Sequence, residues 1–284
     1  MKLPDFYIDD IIKRALEEDI NYIDLATDYL LDDDAVSTAK FISKAEGVLC
    51  GIEIAARVFE FIDKDVKTEI MIKDGGRVNK GDIIAVVTGR TKTILKGERT
   101  SLNILQHMSG IASETAKYAE CCKGTKAHVS ETRKTLPGLR ALEKYAVVIG
   151  GGKNHRYNLS DAAMLKDNHI DAYGSLTNAV NALRSKMGHM AKIEVEVRNE
   201  DELREALGCS ADVIMLDNMT TEQMKKCVEI ADGKAVLEAS GNVTLERMAE
   251  IAATGVDIIS VGALTHSVKA FDISLRIEKG INGR

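Results

Sequence analysis

Tryptophan is absent from the 284-residue chain, and aromatic residues make up only 4% of it, so a surface that stacks single-stranded bases on aromatic rings is not expected. Positive charge is not in excess either. Lys and Arg number 38 against 44 Asp and Glu, a net charge of −6. This argues against nucleic acid as a partner, because phosphate neutralisation supplies most of such binding; a small anionic ligand is still allowed. No apolar run approaches the roughly 20 residues that cross a bilayer, and the opening stretch MKLPDFYIDD is acidic, unlike a signal peptide. No membrane partner is expected, and the cytoplasm is the expected location. The five cysteines, Cys50, Cys121, Cys122, Cys209 and Cys227, contain no C-x-x-C pair, which argues against structural disulfides and a zinc site. Adjacent Cys121 and Cys122 read as packing residues on an apolar helix.

What remains is an ordinary folded composition, 45% hydrophobic and 29% charged, in a length that suits one large domain or two modest ones. Ile8, Ile11, Ile12, Ala15 and Leu16 repeat at helical spacing, and an acidic loop is expected after them. Residues 35–45 read as a strand, and Ala55, Val58, Phe59 and Ile62 restore helical spacing after Gly51. Residues 67–73 and 83–88 read as strands around the turn signals Asp74-Gly75-Gly76 and Lys80-Gly81-Asp82. A long helical stretch from about Thr93 to Cys122, interrupted at Gly110, is expected to link two domains.

Beyond it, short apolar runs at 127–130, 162–165, 193–197, 212–216, 235–239 and 257–261 alternate with helical segments. Such alternation implies parallel strands covered by helices, in a doubly wound sheet or a β/α barrel. Six strands fall short of the eight of a regular barrel. The expected fold is α/β: an α+β N-terminal domain over residues 1–110, onto which a C-terminal helix can pack back, and an incomplete α/β barrel of about six parallel strands over 111–284.

Polar residues stand where barrel strands end, the edge at which such folds carry their chemistry. In Ile193-Glu194-Val195-Glu196-Val197 the strand period puts both glutamates on one face. Glu196 and, on the next strand, Asp217 offer oxygen ligands for Mg²⁺; salt bridging inside the barrel is the alternative. Arg99, Arg133, Lys134, Arg140, Lys144, Lys153, Arg156 and Lys166, with His155 and His169 among them, form a basic stretch. A solvated helix face accounts for Arg140 and Lys144. It does not account for Arg133, Lys134 and Lys166, which follow apolar strands and suit a multiply anionic substrate. Ser240-Gly241-Asn242 and Ser260-Val261-Gly262-Ala263 follow the last two strands, where barrels bind phosphate through backbone N–H groups; plain turns are the alternative. Gly150-Gly151-Gly152 reads either as a close approach to ligand or as a helix stop.

The net −6 conceals an uneven distribution. Residues 96–169 hold 12 basic against 7 acidic side chains, whereas residues 170–284 hold 13 against 18. A basic centre is followed by the acidic segment that supplies both proposed metal carboxylates.

These residues resemble the quinolinate phosphoribosyltransferase family over nearly the whole chain, through GERTSLNILQHMSGIAS (97–113), the block 131–170, IEVEVRN, MLDN, EASGN and DIISVGALTHS. The resemblance implies transfer of phosphoribose from phosphoribosyl pyrophosphate to quinolinate, with nicotinate mononucleotide, pyrophosphate and CO₂ as products and Mg²⁺ as cofactor. It implies Arg133, Lys134 and Lys166 as catalytic residues. Thr132, Arg133, Lys134, His155, Arg156 and Lys166 would bind quinolinate and neighbouring phosphates. Glu196 and Asp217 would serve the metal, directly or through water, and Ser240, Gly241, Asn242, Ser260, Val261, Gly262 and Ala263 would cradle the ribose phosphate. Arg99 would enter the partner's site in a homodimer or a hexamer built as a trimer of dimers. The chain departs from the family pattern at Asn21-Tyr22-Ile23-Asp24, where Gly-x-Gly-Asp is expected, and at Glu131, where Asp is common. Two rival readings are a Schiff-base barrel lyase using Lys166 and a binding-only relative of the molybdate-transport type. The latter group lacks the Met-Leu-Lys-Asp-Asn-His stretch that stands here at 164–169.

Overall fold

The computed structural model describes residues 3–278. The chain divides into two compact units: residues up to Glu114 with Leu136–Gly151 and the segment from Ser267 onward, and Thr115–Thr135 with Gly152–His266.

In the first unit, strands β1 (Val36–Ser43), β2 (Gly47–Val48), β3 (Lys67–Ile70), β4 (Arg77–Val78) and β5 (Ile83–Arg90) follow the helix Asp5–Ile20. β1, β3 and β5 join the C-terminal strand Ile273–Ile277 in an antiparallel sheet, with β1 between that strand and β5. Alternation along β1 sends Ala39 and Phe41 inward. They pack with Ile52, Ala55 and Phe59 of the helix Ile52–Ile62, and the Phe41 and Phe59 rings meet edge to face at 6.1 Å. Each large apolar side chain fully buried in this way contributes about 1.5–3 kcal/mol.

Four local expectations are revised in this unit. The stretch after the first helix is not simply an acidic loop but contains a short helix, Leu25–Leu30, capped by Asp24, whose carboxylate accepts the Thr27 amide at 3.1 Å. Asn21 ends the first helix with a positive φ of 53° and ψ of −100°, so the unusual 21–24 segment turns there without glycine. The C-terminal segment is a strand rather than a helix, because Ile273 and Leu275 supply a buried alternate face against β1. Lys144 is fully buried on the helix Arg140–Ile149, next to Glu143, which meets His107 at 2.9 Å; a solvated face does not describe it.

Gly110 does not interrupt the long helix, which runs unbroken over Thr91–Cys121. Its role is clearance: a Cβ there would run into the Lys269 carbonyl. The triple glycine is a helix stop, with the Gly150 amide bonded to the Ala146 carbonyl and Gly151 left-handed at φ 93°. The five cysteines are free, and burial pushes the Cys122 thiol up to about 11.

The second unit holds β6 (His128–Ser130), β7 (Ala162–Leu165), β8 (Lys192–Val197), β9 (Val213–Asp217), β10 (Val236–Ser240) and β11 (Ile258–Ser260). They form one parallel sheet in the order β6-β11-β10-β9-β8-β7. β6 and β7 do not pair, so the barrel is open. Ile193, Val195, Val197, Ile214, Leu216, Leu237 and Ala239 pack under Leu203, Ala206, Met224, Cys227, Met248 and Ile251 of the covering helices. The opposite face is left to Glu194, Glu196, Met215 and Glu238. Helix starts are set by side chains: Asn199 accepts the Glu202 amide at 2.9 Å, and Thr220 and Gln223 cap each other's amides. No helix of the described residues is long and apolar enough to cross a membrane.

Gly110→Ala gains about 1 kcal/mol of helix propensity but forces a methyl against backbone, an overpacking cost of about 1–3 kcal/mol. Chemical denaturation should therefore show a net loss of stability; an unchanged or raised midpoint would refute the clearance role.

Candidate active site

The carboxyl ends of the six parallel strands open onto one cavity of about 780 Å³. Its lining includes every expected site residue of the second unit: Thr132, Arg133, Lys134, His155, Arg156, Lys166, Glu196, Asp217, Ser240 to Asn242 and Ser260 to Ala263. Arg99 lies on the helix Thr91–Cys121 of the first unit. Met164, Met215, Asn218, Val243 and His266 also line the cavity and were not singled out from sequence.

The cations are held in specific ways. The Arg156 guanidinium donates to the Ala162 carbonyl at 2.8 Å and to the Met164 sulfur at 3.6 Å. Burial, then repulsion from Arg133, lowers its pKa from the ordinary arginine value, the signature of cations gathered for an anion. Lys134 is fixed through its backbone: its N–H reaches Thr132 Oγ1 at 3.1 Å and its carbonyl accepts from Thr265 Oγ1 at 2.8 Å. Lys166 Nζ lies 3.0 Å from Glu196 Oε2 with its side chain 51% exposed.

The two loops differ from expectation in detail. The Val261 amide is taken by the Ser130 carbonyl at 2.8 Å, and the buried Ser260 hydroxyl donates to Glu238. Neither group is available to a phosphate. The Gly241, Asn242, Gly262 and Ala263 amides have no backbone acceptor of this kind among the described residues. At Gly241 (φ 88°) a Cβ would collide with the Asn218 side chain, whose Oδ1 accepts from Asn242 at 3.1 Å. Only glycine allows this close approach.

Below the cations lie carboxylates. Glu131, Glu194 and Glu238 are buried. The His155 amide donates to Glu131 at 3.1 Å, and its ring Nε2 stands 3.4 Å from both Glu194 and Glu238. Burial pushes the Glu194 carboxyl above its ordinary value. Burial also opposes charge on the His155 ring, but bonds to Glu194 and Glu238 outweigh it and raise its pKa to about 10. The Arg156 amide lies 2.7 Å from His155 Nδ1, so Nε2 is the ring nitrogen that holds its proton toward the two carboxylates. Glu194 and Glu238 were legible as the alternate-position neighbours of Glu196 and Ser240, two residues back on the same strand face.

Glu196 and Asp217, on adjacent strands, suit a hard divalent cation. Lys166 occupies one oxygen of Glu196 and Asn218 one oxygen of Asp217, leaving Glu196 Oε1 and Asp217 Oδ1 uncommitted. Two carboxylates without a third ligand match Mg²⁺, which is commonly held by one or two carboxylates together with water and substrate phosphates.

Family models named quinolinate phosphoribosyl transferase match residues 24–109 (N-terminal domain) and 111–276 (C-terminal domain). The chain belongs to this family. It is 42% identical over 267 residues to the probable carboxylating nicotinate-nucleotide pyrophosphorylase of Bacillus subtilis, covering 94% of this chain and 92% of that protein. The corresponding protein of Mycobacterium leprae is 41% identical over 272 residues, covering 94% and 95%. The crystal structure of NadC from Streptococcus pyogenes superposes with a TM-score of 0.94 at 40% identity, covering 98% of this chain and 100% of that one.

A Schiff-base lysine needs a desolvated, neutral amine, whereas Lys166 is half exposed and paired with Glu196. Borohydride reduction in the presence of an α-keto acid should leave the protein mass unchanged; a stable adduct on Lys166 would revive the lyase reading.

Proposed function

We propose that this chain transfers phosphoribose from phosphoribosyl pyrophosphate to quinolinate with decarboxylation, giving nicotinate mononucleotide, pyrophosphate and CO₂ for de novo NAD biosynthesis. The observation that carries the reading is the single cavity that gathers Arg133, Lys134, Arg156 and Lys166 with two carboxylates and two amide-bearing glycine loops, in a chain of this family. Its volume of about 780 Å³ falls within the range of small-molecule sites, and its charge suits a dicarboxylate beside a polyphosphate. The intact stretch 164–169 favours an enzyme over a binding-only relative.

Arg133 and Arg156 would grip the quinolinate carboxylates and hold the pyridine nitrogen toward C1 of the ribose, where it displaces pyrophosphate. Thr132 orders the turn that presents Lys134. The Gly241, Asn242, Gly262 and Ala263 amides would take the ribose phosphate. Glu196 and Asp217 would hold Mg²⁺, which when bound neutralises the pyrophosphate and favours its departure. Loss of the 2-carboxylate as CO₂ leaves its electron pair in the ring plane at C2, an ylide stabilised by the adjacent pyridinium nitrogen, and uptake of a proton at C2 completes nicotinate mononucleotide. Lys134 and Lys166 would place that carboxylate and steady the charge as it forms, Lys166 turning from Glu196 to substrate. Preorganised charge of this kind supplies the largest share of many rate accelerations.

The reading includes a homodimer or a trimer of dimers in which Arg99 serves the partner's site. It also includes a cytoplasmic location, which the five free cysteines support.

Purified protein with quinolinate, phosphoribosyl pyrophosphate and Mg²⁺ should release nicotinate mononucleotide and CO₂, and chelation should abolish the reaction. Product from nicotinate but not quinolinate would sink the assignment. Lys166→Ala should lower kcat by more than about 10²-fold, the scale of one preorganised donor, with little change in thermal midpoint because the side chain is half exposed. Near-normal turnover at saturation would exclude its role. Mixing Arg99→Ala chains with Lys166→Ala chains should restore part of the activity; no rescue in proven heterodimers would count against a shared site.

A further inference from the structure

Both ring nitrogens of His155 are engaged by the protein. Nε2 stands 3.4 Å from Glu194 Oε2 and 3.4 Å from Glu238 Oε1, and Nδ1 accepts the Arg156 main-chain N–H at 2.7 Å. With both nitrogens engaged by the protein, the ring is better placed to act through its neighbours than as the direct quinolinate ligand that the family resemblance implies. It stands between a buried carboxylate and the main chain of Arg156, whose guanidinium is separately tied at Ala162 and Met164.

The two carboxylates are not equivalent. Glu238 is buried on β10 and is also held from β11 by the Ser260 hydroxyl, whereas Glu194 Oε1 has no hydrogen-bond partner. Glu238 is therefore the fixed end of the chain of contacts. We infer that Glu238 is a positioning residue for the quinolinate end of the cavity: it holds the His155 ring, and the ring holds the Arg156 main chain. Three elements distant in sequence, β10, β11 and the 153–156 loop, thereby meet at the main chain that carries the Arg156 side chain. Supporting groups of this kind keep a binding side chain within the narrow range in which its geometry is productive.

The inference rests on the reading that Arg156 meets quinolinate, and the test separates the two. Glu238→Gln keeps an acceptor oxygen at the same reach, while Glu238→Ala removes it. In initial-rate measurements Glu238→Ala should raise the quinolinate KM roughly tenfold, the scale of one lost buried hydrogen bond, with the phosphoribosyl pyrophosphate KM within about twofold of wild type. Glu238→Gln should stay near wild type for both. A merely structural role would move both constants together, or only the thermal midpoint, and either result overturns the proposal. Arg156→Lys reports on the site itself: an unchanged quinolinate KM there removes the underlying reading, whereas a raised value there beside a wild-type value in Glu238→Ala removes only the positioning role. If Glu238→Ala does not fold, Glu238→Asp draws the acceptor back by about one bond length and should show the same KM split. The slowly exchanging His155 Nε2–H proton resonance, identified by its loss in His155→Gln, should persist in Glu238→Gln and vanish in Glu238→Asp. Persistence in Glu238→Asp with an unchanged quinolinate KM overturns the proposal equally.

Discussion

A cavity lined by Arg133, Lys134, Arg156 and Lys166 is a concentration of like charge, and it persists because carboxylates stand beneath and beside it. Glu131, Glu194 and Glu238 are buried under the loops that carry His155 and Arg156, and Glu196 holds Lys166 from the side. Without those negative groups the cations would repel one another, and each would lose hydration without return. The counter-charges are deep and the cations shallow. A polyanionic ligand thus meets positive charge first, while the opposite charge that holds it in place is screened from water.

The open barrel makes this layering possible. Each strand of the parallel sheet gives one face to aliphatic packing under the helices and the other to the cavity, and each ends in a loop at the same edge. Glu194 and Glu196, or Glu238 and Ser240, lie two residues apart on one face, so the deeper residue becomes the support and the outer one becomes available to ligand. The same alternation that builds the core therefore builds the site in two tiers. The loops add what strands cannot: Gly241 and Asn242 have positive φ, and their amides stand outside the hydrogen-bond ladder of the sheet.

Much of this was legible before the fold was known. The six strands were marked by apolar runs, and nearly all residues that line the cavity followed those runs directly. Elements without a strong period were not legible. The Leu25–Leu30 helix has only six residues and buries only Thr27, β2 and β4 have two residues each, and the C-terminal strand gains its partner from β1, far away in sequence. Gly110 read as a break because glycine is a poor helix former, but the reason for it is the Lys269 carbonyl packed against that turn. Lys144 read as solvated because lysine almost always is, and its burial is a property of packing.

Sequence alone determined the class of strand and helix, the face of each strand that carries charge, and the chemical types gathered at the carboxyl edge, because alternation and side-chain chemistry are local. Only the tertiary structure decided which groups are spent on the protein and which are left for a ligand. Ser260 and His155 read as ligand-binding residues, yet the hydroxyl of one and both ring nitrogens of the other are occupied. A hydrogen-bond partner that comes from another strand is fixed by strand register and packing, and neither is written in the residues on either side of it.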